Sequence, residues 1–156
     1  ERDIDFDILF GPGYKGIPLA AATSIKLSDI HGKETPWSFN RKEAKEHGEG
    51  GLFVGAQPAG KILIIDDVIT AGTAITEVLN LLDGTGAEVA GVVVAVDRQE
   101  RGQGDTSAIQ EIEARHQIPV HAIVSLNDII EYLRNTEMFA EHLPAITAYR
   151  AEFGVE

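Results

Sequence analysis

Residues 61–82 read KILIIDDVITAGTAITEVLNLL, and the rest of the chain is organised around them. Ile62, Leu63, Ile64 and Ile65 form a short apolar run that predicts a buried strand. Two adjacent carboxylates, Asp66 and Asp67, follow it. Val68 and Ile69 then lead into the small and hydroxyl residues Thr70, Ala71, Gly72, Thr73 and Ala74. Ile75, Val78, Leu79 and Leu82 fall at the spacing of one buried helical face. Small residues let backbone N–H groups approach an anion, and a helix N-terminus adds partial positive charge. The hydroxyls of Thr70 and Thr73 can donate to the same oxygens, which makes the loop a seat for a terminal phosphate. The carboxylates accept hydrogen bonds, and a sugar diol has two donors to offer them. A carboxylate pair set directly against a phosphate would repel it. The order of residues therefore implies phosphate on the loop and a ribose reaching back over the aspartates. The plainer alternative is a strand carrying a solvated acidic pair, with a threonine as helix cap.

The chain has 156 residues, 44% of them hydrophobic, enough to bury a core as a single domain over residues 1–156. No apolar run is long enough to span a bilayer, so no membrane partner is expected. The absence of cysteine rules out a disulfide framework and points to a reducing, cytoplasmic setting. The chain begins at Glu1, its one methionine is Met138, and no signal peptide is visible; it reads as starting inside a longer sequence. A formal charge of −12 argues against general nucleic-acid binding and makes local clusters of Lys and Arg informative.

Ahead of the central stretch, residues 4–10 predict a strand, followed by the turn Gly11-Pro12-Gly13-Tyr14-Lys15-Gly16 and a helix through Ile17, Ala20, Ala21 and Ile25. The turn is a literal GxGxxG between strand and helix, the fingerprint of dinucleotide binding. A proline and a lysine inside it, and no acidic residue ending a second strand at the expected distance, weigh against that reading. Residues 35–40 predict a short strand containing Trp37 and Phe39. Residues 41–51, RKEAKEHGEGG, are densely charged, end in glycines and show no buried periodicity, which predicts a mobile loop.

Beyond the central stretch, residues 88–97 predict a buried strand, and residues 98–104 a charged, glycine-containing loop that opens with Arg98. Arginine's planar fork matches a carboxylate at two points. Residues 106–116 have helical spacing, and His31, His116, His121 and His142 read as surface residues. Residues 119–124, opened by a proline, predict an edge strand. Ser125, with Asp128 three residues on, predicts the N-cap of a helix over 126–134. Residues 138–153 predict a final helix kinked or broken at Pro144, its apolar residues serving core and interface. Strands alternating with helices make this an α/β chain with a mainly parallel sheet, and both phosphate loops and the Arg98 loop lie at the carboxyl ends of strands.

IIDDVITAGTA resembles the phosphoribosyl-pyrophosphate (PRPP) motif of type I phosphoribosyltransferases. GPGYKG, FNRKEAKEHGEGG, DRQERGQG and AYRAEFGV resemble the orotate branch of that family, so the likeness runs along essentially the whole chain. It implies the type I phosphoribosyltransferase fold and transfer of the phosphoribosyl group from PRPP to orotate, giving orotidine 5′-monophosphate and pyrophosphate in pyrimidine synthesis. It implies that Val68, Ile69, Thr70, Ala71, Gly72, Thr73 and Ala74 bind the terminal phosphate end of PRPP, and that Asp66 and Asp67 hold the ribose hydroxyls. Tyr14 and Lys15 would contact pyrophosphate with Arg41, Lys42, Lys45 and His47 of the catalytic loop. That loop closes over the neighbouring subunit's site, which implies a homodimer. Thr70 and Arg98 would orient orotate. Magnesium is expected on PRPP oxygens and water rather than on either aspartate. The family also has an N-terminal segment, with a further PRPP-contacting lysine and aromatic cover for orotate, and this chain reads as starting after it.

Cations held over a departing pyrophosphate in a water-excluded site stabilise the transition state more than the ground state. A lid that supplies them only when substrate is bound limits hydrolysis. The alternatives are a phosphoribosyltransferase for another nucleobase, a PRPP-binding fragment or regulator without chemistry, and a nucleotide-dependent oxidoreductase using the Gly11–Gly16 turn.

Overall fold

The computed structural model describes residues 4–45, 51–70 and 72–155. Its centre is β4 (Lys61–Val68), whose residues from Ile62 to Asp66 are all buried. β1 (Ile8–Phe10) lies parallel on one side of it and β5 (Glu88–Asp97) parallel on the other. β2 (Trp37–Lys45) pairs parallel with β1, β3 (Gly51–Gly55) antiparallel with β2, and β6 (Val120–Ser125) parallel with β5. The six-stranded sheet thus runs β3-β2-β1-β4-β5-β6. Among the described residues five helices flank it: α1 (Gly16–His31), α2 (Thr73–Leu82), α3 (Ala108–His116), α4 (Leu126–Arg134) and α5 (Leu143–Phe153). No helix among the described residues is long and apolar enough to cross a membrane.

A buried parallel strand is apolar on both faces, and successive side chains point to opposite sides. Ile62 and Ile64 accordingly join Ile8, Phe10, Val92 and Val94 in a core closed by Ile75, Val78 and Leu82 of α2 and by Ala108 and Ile112 of α3. Leu63 and Ile65 face the other way, with Leu9, onto Ala20 of α1. The chain leaves β1 toward β2 and β3, then returns to β4 and continues toward β5 and β6. The direction reverses between β1 and β4, which is where an open α/β sheet leaves a crevice at its carboxyl edge.

Five expectations are corrected. The first strand is only Ile8–Phe10, because Asp7 leaves the ladder: its amide donates to the Lys61 carbonyl (2.8 Å) while its carboxylate accepts from the Lys61 amide (2.8 Å). The charged stretch 41–45 is strand rather than loop. It continues β2 to Lys45, irregular in register after Asn40, and Lys45 pairs antiparallel with Gly51 at the start of β3. An edge hairpin tolerates charged side chains that a central strand would not. Residues 46–50, and with them His47, lie outside the described residues. Pro144 sits in the first turn of α5, after a 3₁₀ turn at Ala140–His142, where its missing N–H has no helical partner to lose. No residue of α5 is buried, so its apolar residues do not join the core. Finally, His116 is half-buried in the last turn of α3 beside Leu79, Leu82 and Val89 rather than on the open surface.

Residues 88–97 form a strand with the expected bounds, and β6 is the edge strand. Ser125 caps α4, its hydroxyl accepting from the Asp128 amide (3.2 Å) while Asp128 accepts from the Ser125 amide (2.7 Å). A second capping box, Ser107 with Gln110, starts α3 at Ala108, two residues later than the Thr106 reading.

Candidate active site

At the end of β4 the backbone turns through Ile69 and Thr70 into Gly72, which occupies the left-handed region (φ 69°) and is the N-cap residue of α2. A side chain there would be strained by that φ and would place its Cβ 2.8 Å from Ile112 Cδ1. Among the described residues no side chain caps the helix and its first turn carries no acid, which suits its leading N–H groups to an anionic ligand. They open into a cavity of about 230 Å³ lined by Asp66, Val68, Ile69, Thr70, Gly72, Thr73, Ala74 and Ile75. That is several times the roughly 30 Å³ that one water occupies in the liquid, room for a small polar ligand. Ala71 lies outside the described residues.

The acid pair is asymmetric. Asp66 is only 9% exposed, and its Oδ1 accepts from the Asp67 amide at 2.9 Å. Burial pushes its carboxyl up, helped by the negative charge of Asp67 beside it. Asp67 is more open and its Oδ2 takes the ammonium of Lys15 at 2.6 Å. Burial works upward on Asp67 too, but the Lys15 hydrogen bond and the Val68 amide outweigh it and hold the carboxyl below its usual range. The same hydrogen bond to Asp67 raises Lys15.

Lys15 comes from the turn between β1 and α1, whose glycines are required by close approach. A Cβ on Gly11 would collide with the Gly16 carbonyl, and one on Gly16 would lie 2.7 Å from the Ile65 carbonyl oxygen. The GxGxxG spacing therefore packs the turn onto α1 and β4. The turn is tied to β2 as well, through the Gly11 amide to the Ser38 carbonyl (2.9 Å) and the Gly13 amide to Asn40 Oδ1 (3.4 Å). Tyr14 is exposed, with the Lys42 ammonium 5.5 Å from its ring centroid, inside cation–π range. Arg41 Nη1 donates to the Gly51 carbonyl at 3.2 Å. Tyr14, Lys15, Arg41 and Lys42 thus stand on adjoining elements at the β1–β2 edge of the crevice. Of Lys45 only the backbone, paired in register with Gly51, is described.

On the other side, Arg98 follows the last residue of β5. Its Nη2 donates to the Tyr149 hydroxyl (2.5 Å) and pairs with the Glu100 carboxylate, and the guanidinium lies 5.9 Å from the Tyr149 ring centroid. Glu100 and Tyr149 were not expected from the sequence. Their spacing from Arg98 carries no periodic signal, and only the fold brings the last helix against this loop. Among the described residues no group of three or more His, Asp or Glu could hold a metal ion. Asp66 and Asp67 offer carboxylate oxygens already engaged by an amide and an ammonium, which suits a hard cation held mainly by ligand and water oxygens.

The family description "Phosphoribosyl transferase domain" matches residues 2–119. An orotate phosphoribosyltransferase of Pseudomonas paraeruginosa is 59% identical over 155 residues, covering 99% of this chain and 73% of that protein. The crystal structure of orotate phosphoribosyltransferase from Francisella tularensis superposes with a TM-score of 0.81 at 42% identity, over 97% of this chain and 72% of that one. The Mycobacterium tuberculosis orotate phosphoribosyltransferase in complex with 5-phospho-α-D-ribosyl 1-diphosphate gives a TM-score of 0.64 at 25% identity, over 81% of this chain and 66% of that one. With the anion seat on α2, the acid pair on β4 and the lysine turn on β1 at one crevice, the chain belongs to the phosphoribosyltransferase family, in its orotate phosphoribosyltransferase branch.

Proposed function

We propose that this chain transfers the phosphoribosyl group of PRPP to orotate, releasing pyrophosphate and giving orotidine 5′-monophosphate for pyrimidine synthesis. The observation that carries the reading is the uncapped N-terminus of α2 opening into a cavity whose other wall holds Asp66. A terminal phosphate on the amides and hydroxyls of residues 70–74 leaves the ribose against the acid pair, where Asp66 and Asp67 accept from its hydroxyls. Negative charge beside the ring also favours the oxocarbenium-like centre formed as the bond from the anomeric carbon to pyrophosphate oxygen breaks and the bond to the orotate nitrogen forms. Lys15, paired with Asp67, exchanges that partner for pyrophosphate. Tyr14, Arg41, Lys42, Lys45 and His47 complete the pyrophosphate side, and Thr70 and Arg98 orient the base. Magnesium, when bound, neutralises pyrophosphate charge through ligand and water oxygens.

The working unit is a homodimer in which the loop bearing Lys45 and His47 serves the neighbouring site. Exposed Ile25, Ile30, Ile123, Tyr132 and Met138 supply apolar surface for such an interface. The proposed setting is the cytoplasm, in keeping with a chain free of cysteine.

The test is formation of orotidine 5′-monophosphate and pyrophosphate from PRPP and orotate, with adenine, uracil and hypoxanthine as competitor bases. Turnover with orotate alone among them is expected. PRPP binding without turnover would favour the regulator reading, and absence of PRPP binding would remove the assignment.

A further inference from the structure

α5 has no fully buried residue; Leu143, Ile146 and Tyr149 are only half-buried along one side of it. What ties its end to the body is the loop after β5. Arg101 donates from its amide to the Phe153 carbonyl (2.9 Å) and from its side chain to the Glu152 carbonyl. The Val155 amide donates to the Gln99 carbonyl (2.9 Å), and Glu100 forms a β-bridge with Gly154. Inside this clasp Tyr149 donates its hydroxyl proton to Glu100 Oε1 and accepts from Arg98 Nη2. Glu100 also pairs directly with Arg98, and its side chain is only 18% exposed, so the three groups form a closed, partly desolvated triangle. Hydrogen bonds in such surroundings are stronger than in water and polarise one another. Among the described residues the hydrogen bonds and ion pair of Arg98 all use Nη2. The guanidinium plane is thereby fixed while the Nη1 donors stay open to a ligand.

We propose that Tyr149 and Glu100 are positioning residues that set the orientation of Arg98 for the carboxylate of the base, making α5 part of the base-selecting machinery. The inference rests on Arg98 as the base ligand. A free arginine must give up side-chain freedom on each binding event, whereas a guanidinium held at one end has already done so. Selection for a carboxylated base then depends on a hydroxyl contributed from the far end of the chain.

The test is steady-state kinetics on Tyr149→Phe, which removes the hydroxyl and keeps the ring, on Glu100→Gln, on Arg98→Ala, and on the Arg98→Ala, Tyr149→Phe double variant. Tyr149→Phe is expected to raise KM for orotate about tenfold, in line with loss of a charge-assisted hydrogen bond. KM for PRPP and kcat should stay within about twofold, since neither depends on the Arg98 orientation. Glu100→Gln should act in the same direction. The double variant should bind orotate no worse than Arg98→Ala alone, because Tyr149 acts only through Arg98. An unchanged KM for orotate in Tyr149→Phe, while Arg98→Ala raises it, overturns the positioning role and leaves the base site standing. An unchanged KM in Arg98→Ala overturns both. Multiplying effects in the double variant would show that Tyr149 acts elsewhere and would also overturn the proposal.

Discussion

Gly72→Ala probes the junction on which the phosphate seat depends. Gly72 has φ 69°, and an alanine in the left-handed region costs about 1–2 kcal/mol. The added Cβ would also lie 2.8 Å from Ile112 Cδ1, an atom of a side chain only 2% exposed, so the core must give way. Overpacking of this kind adds about 1 kcal/mol where one methyl has to shift. The sum, about 2–3 kcal/mol, corresponds to a fall in melting temperature on the order of 4–12 °C for a chain of this size. The two contributions can be separated. Ile112→Val removes Cδ1 and leaves only the Cγ1 contact at 3.1 Å, so the Gly72→Ala, Ile112→Val pair should melt higher than the two separate losses imply, by most of the steric part of the cost. The backbone part remains, and with it a misdirected first turn of α2. KM for PRPP should therefore stay raised, by about tenfold, in both the single and the double variant. The measurements are thermal unfolding by circular dichroism and initial rates over a PRPP series. A Gly72→Ala chain that melts with the parent and keeps its KM for PRPP would refute the requirement for glycine here.

Asp66→Asn should lower turnover at least about tenfold, through loss of an acceptor for the ribose, while stabilising the fold at neutral pH. Because burial raises the folded carboxyl above the unfolded value of 3.8, the contribution of Asp66 to stability is complete below that value and is lost as pH rises through the folded one. The asparagine keeps the bond from the Asp67 amide without that loss, so thermal melts should show a gain at pH 7 that shrinks toward pH 3. Asp67 has the opposite sign: its lowered carboxyl contributes stability above pH 3.8 that is lost as pH falls through the folded value. Asp67→Asn should remove that acid-side loss in the same melts. Ser125→Ala should cost about 1 kcal/mol by removing the α4 cap, lowering the melting temperature by about 2–4 °C with KM for both substrates unchanged. Mixing inactive Lys45→Ala and Asp67→Asn chains should restore about a quarter of parental activity if the loop serves the neighbouring site, since random exchange pairs one intact site in half of the dimers; subunit-exchanged mixtures that stay inactive would contradict a shared site.

The central strand, the helix after it and the acid pair were legible because they combine local signals that agree: a β-branched and aliphatic run, a stretch of small residues, and a helical apolar stripe. The Ser125 cap was legible for the same reason, since donor and acceptor are three residues apart. What was not legible depends on pairing across the fold. Residues 41–45 carry charges that read as loop, and only the hairpin with β3, rejoined where Lys45 pairs with Gly51, makes them strand. Residues 4–7 have strand composition, but Asp7 turns its carboxylate to the Lys61 amide and ends the ladder early. In the site, the Lys15–Asp67 contact joins residues far apart in the chain, and so does the triangle of Arg98, Glu100 and Tyr149. α5 shows the converse. Its aromatic and aliphatic residues read as core, yet the described chain covers them only in part, leaving Leu143, Ile146 and Tyr149 half-buried.

The most direct measurement is a crystal structure of this chain with PRPP bound. The terminal phosphate is expected on the amides at the start of α2, beside Thr70 and Thr73, with the ribose hydroxyls on Asp66 and Asp67 and Lys15 moved from Asp67 to the pyrophosphate. A phosphate bound elsewhere, with the α2 N-terminus empty and the Lys15–Asp67 pair intact, would contradict the assignment of this crevice as the site of transfer.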